Sequence, residues 1–582
     1  MGRLKVLIMA LAVVFSGCSF KSTEPPNTLH VYVSAKLKGL DPIYTDDLYS
    51  GIQTSQPYET LLQYNYLKRP LELEPLLAES MPVLSEGGKK IVFRLKKGVF
   101  FQDNPCFKET KGKGREMRAE DFVYSFKRLA DPALASPGWW VFEDKVVGLN
   151  AWRELALKSG KADYTAPVEG IKAPDPYTLE IHLTRPAYQL LYSLTMVYTA
   201  VVPHEAVEFY GKEFLNHPVG TGPWQLAEFN PSSRIIWKRN PTYRKEVYPS
   251  VGESGDKEAG LLEDAGKALP LADQVNVQII TETQPQWLNF VAGKLDALSI
   301  PKDNFSTVIN EKRELRPEFK EKGIQLRVTP LYDTTHATFN MVDPIIGKNK
   351  YLRQAISLAY DQETFNDLFY NGRAILAEGP IPPGLSGYSA ELKNPYRRFN
   401  VSKAKELMAK AGYPEGKGLP PLEYATLADS FYRQTAEYFQ KLMEPLGIKV
   451  NVTAYSWPQF LEAMKNKKAQ IWEFAWGADY PDGENFLQLF YSKNFSPGPN
   501  DGNYSNPDFD RMYEHSLTLP DSPERTALYR KMVDLLVEDC PWIFEAHRIG
   551  FFLSQPWFKN YKPSDLDHRT YKYYRIDTAL KK

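Results

Sequence analysis

The amino-acid sequence predicts a mixed α/β protein built as several lobes, on three observations. At 582 residues the chain exceeds what one hydrophobic core supports, which implies two or three domains. Strand-like and helical periodicities both occur and alternate irregularly, which suits mixed sheets with helices packed on them. Composition is that of an ordinary globular protein, 43% apolar and 24% charged, with no short repeat, no heptad run and no second long apolar span.

The amino terminus has the pattern of an export signal. Arg3 and Lys5 precede an apolar run, Val6 to Phe15, that is too short to span a bilayer and reads as the core of a signal peptide. Ser16 and Gly17 directly before Cys18 resemble a bacterial lipobox, with Phe15 where an aliphatic residue is usual. The expectation is a signal peptide over 1–17, lipid on Cys18, and a polar, proline-rich tether over 18–28. The other reading is an ordinary secretory signal with an incidental cysteine. Losing Arg3 and Lys5 leaves 69 basic against 71 acidic residues, a charge of about −2, so no global charge suits nucleic acid. Export places thiols where they oxidise. Cys106 and Cys540 are far apart in sequence, nothing in the spacing pairs them, and two free thiols are expected.

Further along, apolar alternation predicts strands at Ile91, Phe93 and Leu95, at Leu179, Ile181 and Leu183, and at Val450 and Val452. Helical spacing of Phe122, Phe126 and Leu129 predicts a helix, and LRQAISLAYDQETFNDLFYNG predicts another that stops on a Gly372 C-cap. Ser402 is the expected N-cap of a helix ending near Gly412. Residues 104–118 and 248–270, rich in charge and glycine, read as inserted surface loops. The run IWEFAW reads as a buried strand, which stops abruptly before Asp479, Pro481 and Asp482. The chain also holds 35 Tyr, 31 Phe and 11 Trp, a bias that suits binding surfaces because rings bring large contact area at low entropic cost.

Catalytic signatures are mostly absent. His204-Glu205-Ala206-Val207-Glu208 opens like a zinc-protease helix, but Glu208 stands where the second histidine is needed, so one helix face lacks its ligand pair. GLSGY places its second glycine one residue too early for a nucleophile elbow. GESGDKE lacks both the spacing and the final hydroxyl of a phosphate-binding loop. The carboxylate pairs Asp46-Asp47 and Asp479/Asp482 suit acid–base chemistry only if their separation is right, and spacing does not give it.

Five segments in order resemble the solute-binding proteins of bacterial peptide ABC transporters, the oligopeptide- and dipeptide-binding family. They are GLDPIYTDDLYSGIQTSQPYETLL, RAEDFVYSFKRLADP, VGTGPWQLAEFNPSSRIIWKRNPTYR, YLRQAISLAYDQETFNDLFYNGRAILAEGPIPPG and WGADYPDGENFL. The likeness covers nearly all of Leu29 to Asp577 except the two insertions. It implies a two-lobed periplasmic-binding-protein fold with a hinge and a small extra domain. Lobe I would hold 29–65, 184–281 and 546–582, the small domain 66–183, and lobe II 282–545. It implies a binding protein, not an enzyme: a monomer without cofactor that captures short peptides and hands them to an ABC permease. It would sit in the periplasm or on the outer face of the cytoplasmic membrane.

By the same resemblance, Asp479 matches the aspartate that binds the ligand's ammonium, and the small Gly477 and Ala478 let ligand backbone pair with the strand end. Asp46 matches an acidic cleft residue, Leu48 a backbone partner of the ligand, and Trp457 and Trp476 the aromatic walls of side-chain pockets. Gly138 stands where some relatives carry a ligand-facing tyrosine, for which Trp139 or Trp140 would substitute. Glu473 stands where some peptide binders carry a basic residue for the ligand's carboxyl end, a departure from the pattern. The rival readings are the same fold binding a nickel chelate, haem, glutathione, a cell-wall peptide or a sugar, a secreted hydrolase using cleft carboxylates, and a surface adhesin.

Overall fold

A computed structural model describes residues 24–581 apart from 46 and 497. The expected signal peptide, lipidated Cys18, the first part of the tether and Asp46 lie outside the described residues. Among the described residues no helix is long and apolar enough to cross a membrane.

The first strand, β1 (Thr28–Val33), edges a four-stranded sheet. It runs parallel to Gln274–Ile279, and Arg234–Arg239 and Trp224–Asn230 continue the sheet antiparallel. Its core is closed by the last part of the chain, because Phe558, Tyr573 and Ile576 pack with Leu29, Val275 and Trp237. After β1 the short helix α1 (Leu48–Thr54) starts on Asp47, whose Oδ1 accepts the Ser50 amide at 2.9 Å. A second four-stranded sheet follows, in the order Val83–Ser85, Lys90–Arg94, Thr178–His182, Ile171–Asp175. The predicted alternation is visible there, with Ile91, Phe93, Leu179 and Ile181 buried against Phe122, Phe126 and Leu129 of the helix Ala119–Ala130.

The chain then crosses into a third body. β2 (Gln325–Pro330) leads through Leu331 and Tyr332 into β3 (Asp333–Phe339). β3 lies between β4 (Ile471–Gly477) and β5 (Trp542–His547) in a six-stranded sheet, antiparallel to both. Arg548 alone separates β5 from β6 (Ile549–Ser554), which returns to pair with β2. The two crossings are stitched together: the Leu331 amide donates to the Arg548 carbonyl at 2.9 Å, and the Arg548 amide donates to Asp333 Oδ1 at 3.0 Å. Residues 283–330 go with β6, since Trp287, Phe290 and Leu298 share a core with Phe551 and Leu553. By this packing the change of body falls at 331–332, whereas the sequence reading put it at 282.

Four local expectations change for stated reasons. The long helix predicted around LRQAISLAYDQETFNDLFYNG is two, α2 (Lys350–Ala359) and α3 (Gln362–Tyr370), because Asp361 Oδ1 accepts the Thr364 amide at 3.1 Å and starts a new helix. It ends on Asn371 in the left-handed region, with Gly372 following at φ 64°. The helix Val401–Lys410 is capped by Asn400, which accepts the Lys403 amide at 2.9 Å, and Ser402 sits inside its first turn. The insert 248–270 is not simply a solvated loop. Tyr248, Leu261 and Leu269 join the first core, Lys562 reaches Asp256 at 2.9 Å, and Arg575 reaches the buried Asp264 at 2.5 Å. In the insert 104–118, Cys106, Phe107 and Met117 are buried as well. Cys106 and Cys540 are both free and buried, and burial pushes both thiols up to about 12.

Candidate functional site

A cavity of about 1170 Å³ opens where β1, α1, the crossing strands and the ends of β4 and α3 meet. It exceeds the ~300–1,000 Å³ typical of ligand pockets. β4 supplies one wall. Nothing lies within 4 Å of where a Gly477 Cβ would sit, so the strand end stays open to an approaching backbone. The Ala478 amide donates to the Tyr332 carbonyl at 2.8 Å, which ties the end of β4 to the crossing.

Asp479 follows, half-buried in the cavity wall. Its amide donates to Asn485 Oδ1 at 3.0 Å, and Asn485 Nδ2 donates to Asp479 Oδ2 at 3.1 Å. Burial pushes its carboxyl up to about 6, against the opposing pull of that Asn485 bond. No cation pairs with it among the described residues. Asp482 has another task. It is buried, accepts from Arg525 Nη2 at 2.5 Å and from the Tyr529 hydroxyl at 3.0 Å, and receives the Glu484 amide at 2.9 Å. The two aspartates are therefore not an acid–base pair: one faces the cavity and the other pins the loop that presents it.

A second carboxylate raised by burial, against the pull of the Arg548 and Arg69 charges, comes from the carboxyl-terminal segment. Asp565 Oδ2 accepts the Tyr332 amide at 3.0 Å, and burial pushes this carboxyl up to about 6. Tyr332 is thus held through its N–H by Asp565 and through its C=O by the residue before Asp479. Asp47 also lines the cavity, with its Oδ2 buried and unpartnered. Asp567 and Arg569 line it too, each near the other's charge.

Another part of the lining is basic and aromatic. Lys302 Nζ lies over the rings of Phe369 at 5.4 Å and Phe431 at 5.9 Å. The Arg373 guanidinium lies over Phe305 at 4.8 Å and Phe551 at 5.9 Å. Neither cation has a carboxylate partner among the described residues. Arg548 does, because its Nε donates to Asp333 Oδ2 at 2.6 Å. Behind Tyr370 and Tyr432, the buried Glu473 and Glu545 face each other's charge. Burial pushes Glu473 up to about 7 and Glu545 well above the usual carboxylate range. Glu473 is not in the cavity lining, and the cations of the lining come from other segments.

Of the residues singled out from sequence, Leu48, Gly477, Ala478 and Asp479 meet in the cavity wall, Leu48 with 53% of its surface exposed. Three others do not line it. Trp139 is buried in the core of the second body, with Arg153 over its ring at 5.3 Å, and Trp140 lines the cavity instead. Trp457 is half exposed and stacks on Phe474 at 6.0 Å. Trp476 turns to the far face of β4, where its indole donates to Asn485 Oδ1 at 2.9 Å. Tyr198 lines the cavity and fills the space above Gly138, where an added Cβ would meet its ring at 2.5 Å. Sequence reasoning missed Tyr198, Lys302, Arg373 and Asp565, which come from four distant segments with no local pattern in common.

Comparison with known proteins agrees with this architecture. A model of the bacterial extracellular solute-binding proteins, family 5, matches residues 72–498. Heme-binding protein A of Haemophilus influenzae is 25% identical over 564 residues, covering 95% of this chain and 93% of that protein. Di/tripeptide-binding protein 2 of Pseudomonas aeruginosa is 23% identical over 587 residues, covering 99% of both. Among solved structures, the periplasmic binding protein DppA of Helicobacter pylori in complex with the peptide STSA superposes with a TM-score of 0.73, at 23% identity, over 94% of this chain and 98% of that one. Two lobes, two adjacent crossings and a cavity between them are what that fold consists of, and the chain belongs to family 5 of the bacterial extracellular solute-binding proteins.

Proposed function

We propose that the protein captures short peptides between its lobes outside the cytoplasm and delivers them to an ABC importer permease, held at the membrane by lipid on Cys18. Asp479 carries this reading. A half-buried carboxylate that faces a cavity and has no cation partner among the described residues is an anchor for a ligand's ammonium, whose own desolvation needs such a partner. Gly477 and Leu48 offer backbone to a peptide laid along the strand end, in the manner of an added strand. Asp565 belongs to the same anchor, reaching it from the other lobe. Lobe I takes residues 29–65, 184–281 and 549–582 together with 283–330, lobe II takes 333–547, and 66–183 form the small domain. Ligand stabilises the closed arrangement only through contacts it makes to both lobes, and no covalent step is involved.

Haem is the ligand named for one relative, and a planar dianion offers no ammonium to Asp479 or Asp565. The two readings separate in native mass spectrometry of the soluble form, starting after Cys18 and purified without refolding. A ladder of short-peptide masses is expected, and a single non-peptide mass overturns the peptide reading. The Asp479→Ala substitution is expected to weaken free-amine peptides about 10- to 150-fold, the equivalent of ~1.5–3 kcal/mol for a charge-assisted bond, and N-acetylated ones little. Equal losses on both sink the ammonium role.

A further inference from the structure

Two cations of the cavity lining are left without a carboxylate, and this bears on what kind of peptide it takes. Asp47, Asp479 and Asp565 line the cavity, and so do Lys302 and Arg373, the two cations without carboxylate partners among the described residues. Arg548 adds its charge beside Arg373, but Asp333 offsets it. Glu473 and Glu545 lie outside the lining, and burial works against the charge on both. Burial and the nearby Arg548 both work against the charge on Arg373. Two cations held on ring faces without a carboxylate, one of them beside Arg548, are costly in the empty cavity. A single chain-terminal carboxylate offsets one of them.

Resting on the peptide reading above, we infer that Lys302 and Arg373 form a subsite for a second negative charge, so that the preferred ligands are short peptides with an acidic side chain at or near the carboxyl end. The rings of Phe369, Phe431, Phe305 and Phe551 keep the two cations in place and exclude water around them, which strengthens their attraction for carboxylate. The planar guanidinium of Arg373 suits a bidentate carboxylate, while Lys302 acts as a point charge.

The test is calorimetric binding to the soluble wild-type protein of alanine peptides three to five residues long that end in Glu, against the same peptides ending in Gln. At one length at least, the Glu peptide is expected to bind ~10-fold tighter or more, with a steeper loss of affinity as salt rises. In Lys302→Gln and Arg373→Gln the Glu-to-Gln ratio is expected to fall toward one, and Arg373→Lys to retain part of it. Equal affinities of Glu and Gln peptides for the wild type overturn the subsite while leaving the peptide reading intact. A preference for Glu that both Gln substitutions leave unchanged overturns the assignment to these residues. Failure of every peptide to bind overturns the peptide reading itself, and the subsite with it.

Discussion

On the peptide reading proposed above, Asp479 and Asp565 set how binding responds to acid. The free-state pKa of Asp479 is raised to about 6, and Asp565 beside Tyr332 is raised equally. A bound ammonium favours the ionised forms, so the pKa values fall on binding. Affinity is therefore full above about 6 and is lost as pH falls below it, by up to ~10-fold per pH unit for each carboxyl. At the other limb the ligand's α-amino group deprotonates above ~8 and affinity falls again. Calorimetry of one free-amine peptide between pH 4.5 and 9 is expected to show this bell, and its N-acetylated form neither limb. Asp479 was legible from sequence because it sits inside a motif. Asp565 was not, because nothing local to a loop between Pro563 and Arg569 records that Tyr332 will cross in front of it.

The loop after β4 shows how one element presents a site. A strand that ended on a free aspartate would leave its polar groups to fluctuate. Here Asn485 holds Trp476 and Asp479, and Asp482 holds Arg525, Tyr529 and the Glu484 amide. Arg525 and Asp482 are both buried, so Asp482→Ala leaves a guanidinium without its partner. A loss of about 3–5 kcal/mol in unfolding free energy by denaturant titration is expected, with ligand affinity falling as the loop loosens. The sequence carried the strand, its abrupt stop and both aspartates, but not their division of labour, which depends on a helix more than forty residues away. The same distinction holds for α2 and α3. Their apolar spacing reads as one helix, and only the side-chain bond of Asp361 divides it.

At the scale of the whole molecule, the proposed closure would draw on contacts outside the cavity. The ring of Tyr192, which precedes the cavity-lining segment 195–198, stacks on that of Tyr480, next to Asp479, with centroids 6.0 Å apart and planes 6° apart. Such a pair contributes ~0.5–1.5 kcal/mol beyond its buried area. Tyr192→Ala is expected to raise peptide Kd about 2- to 12-fold, mainly through faster dissociation measured by stopped flow. An unchanged dissociation rate removes this pair from the closed state. The lobed architecture was legible from chain length and from five ordered motifs. The place where the chain changes lobe was not, because 283–330 finds its partner strand, β6, only more than two hundred residues later.

That return of the chain also sets an order of assembly. Gln53 donates to the Tyr571 hydroxyl across 518 residues, and the core beside β1 is closed by Phe558, Tyr573 and Ile576. The first lobe begun is thus the last completed: its opening strand emerges early and waits, with apolar surface uncovered, for the final stretch of the chain. Loop closure of this length and exposed strand edges both favour slow folding and aggregation. The lobe between the crossings is continuous in sequence and free of that wait, so a chain cut short before β6 keeps one lobe that is able to fold and strands the other.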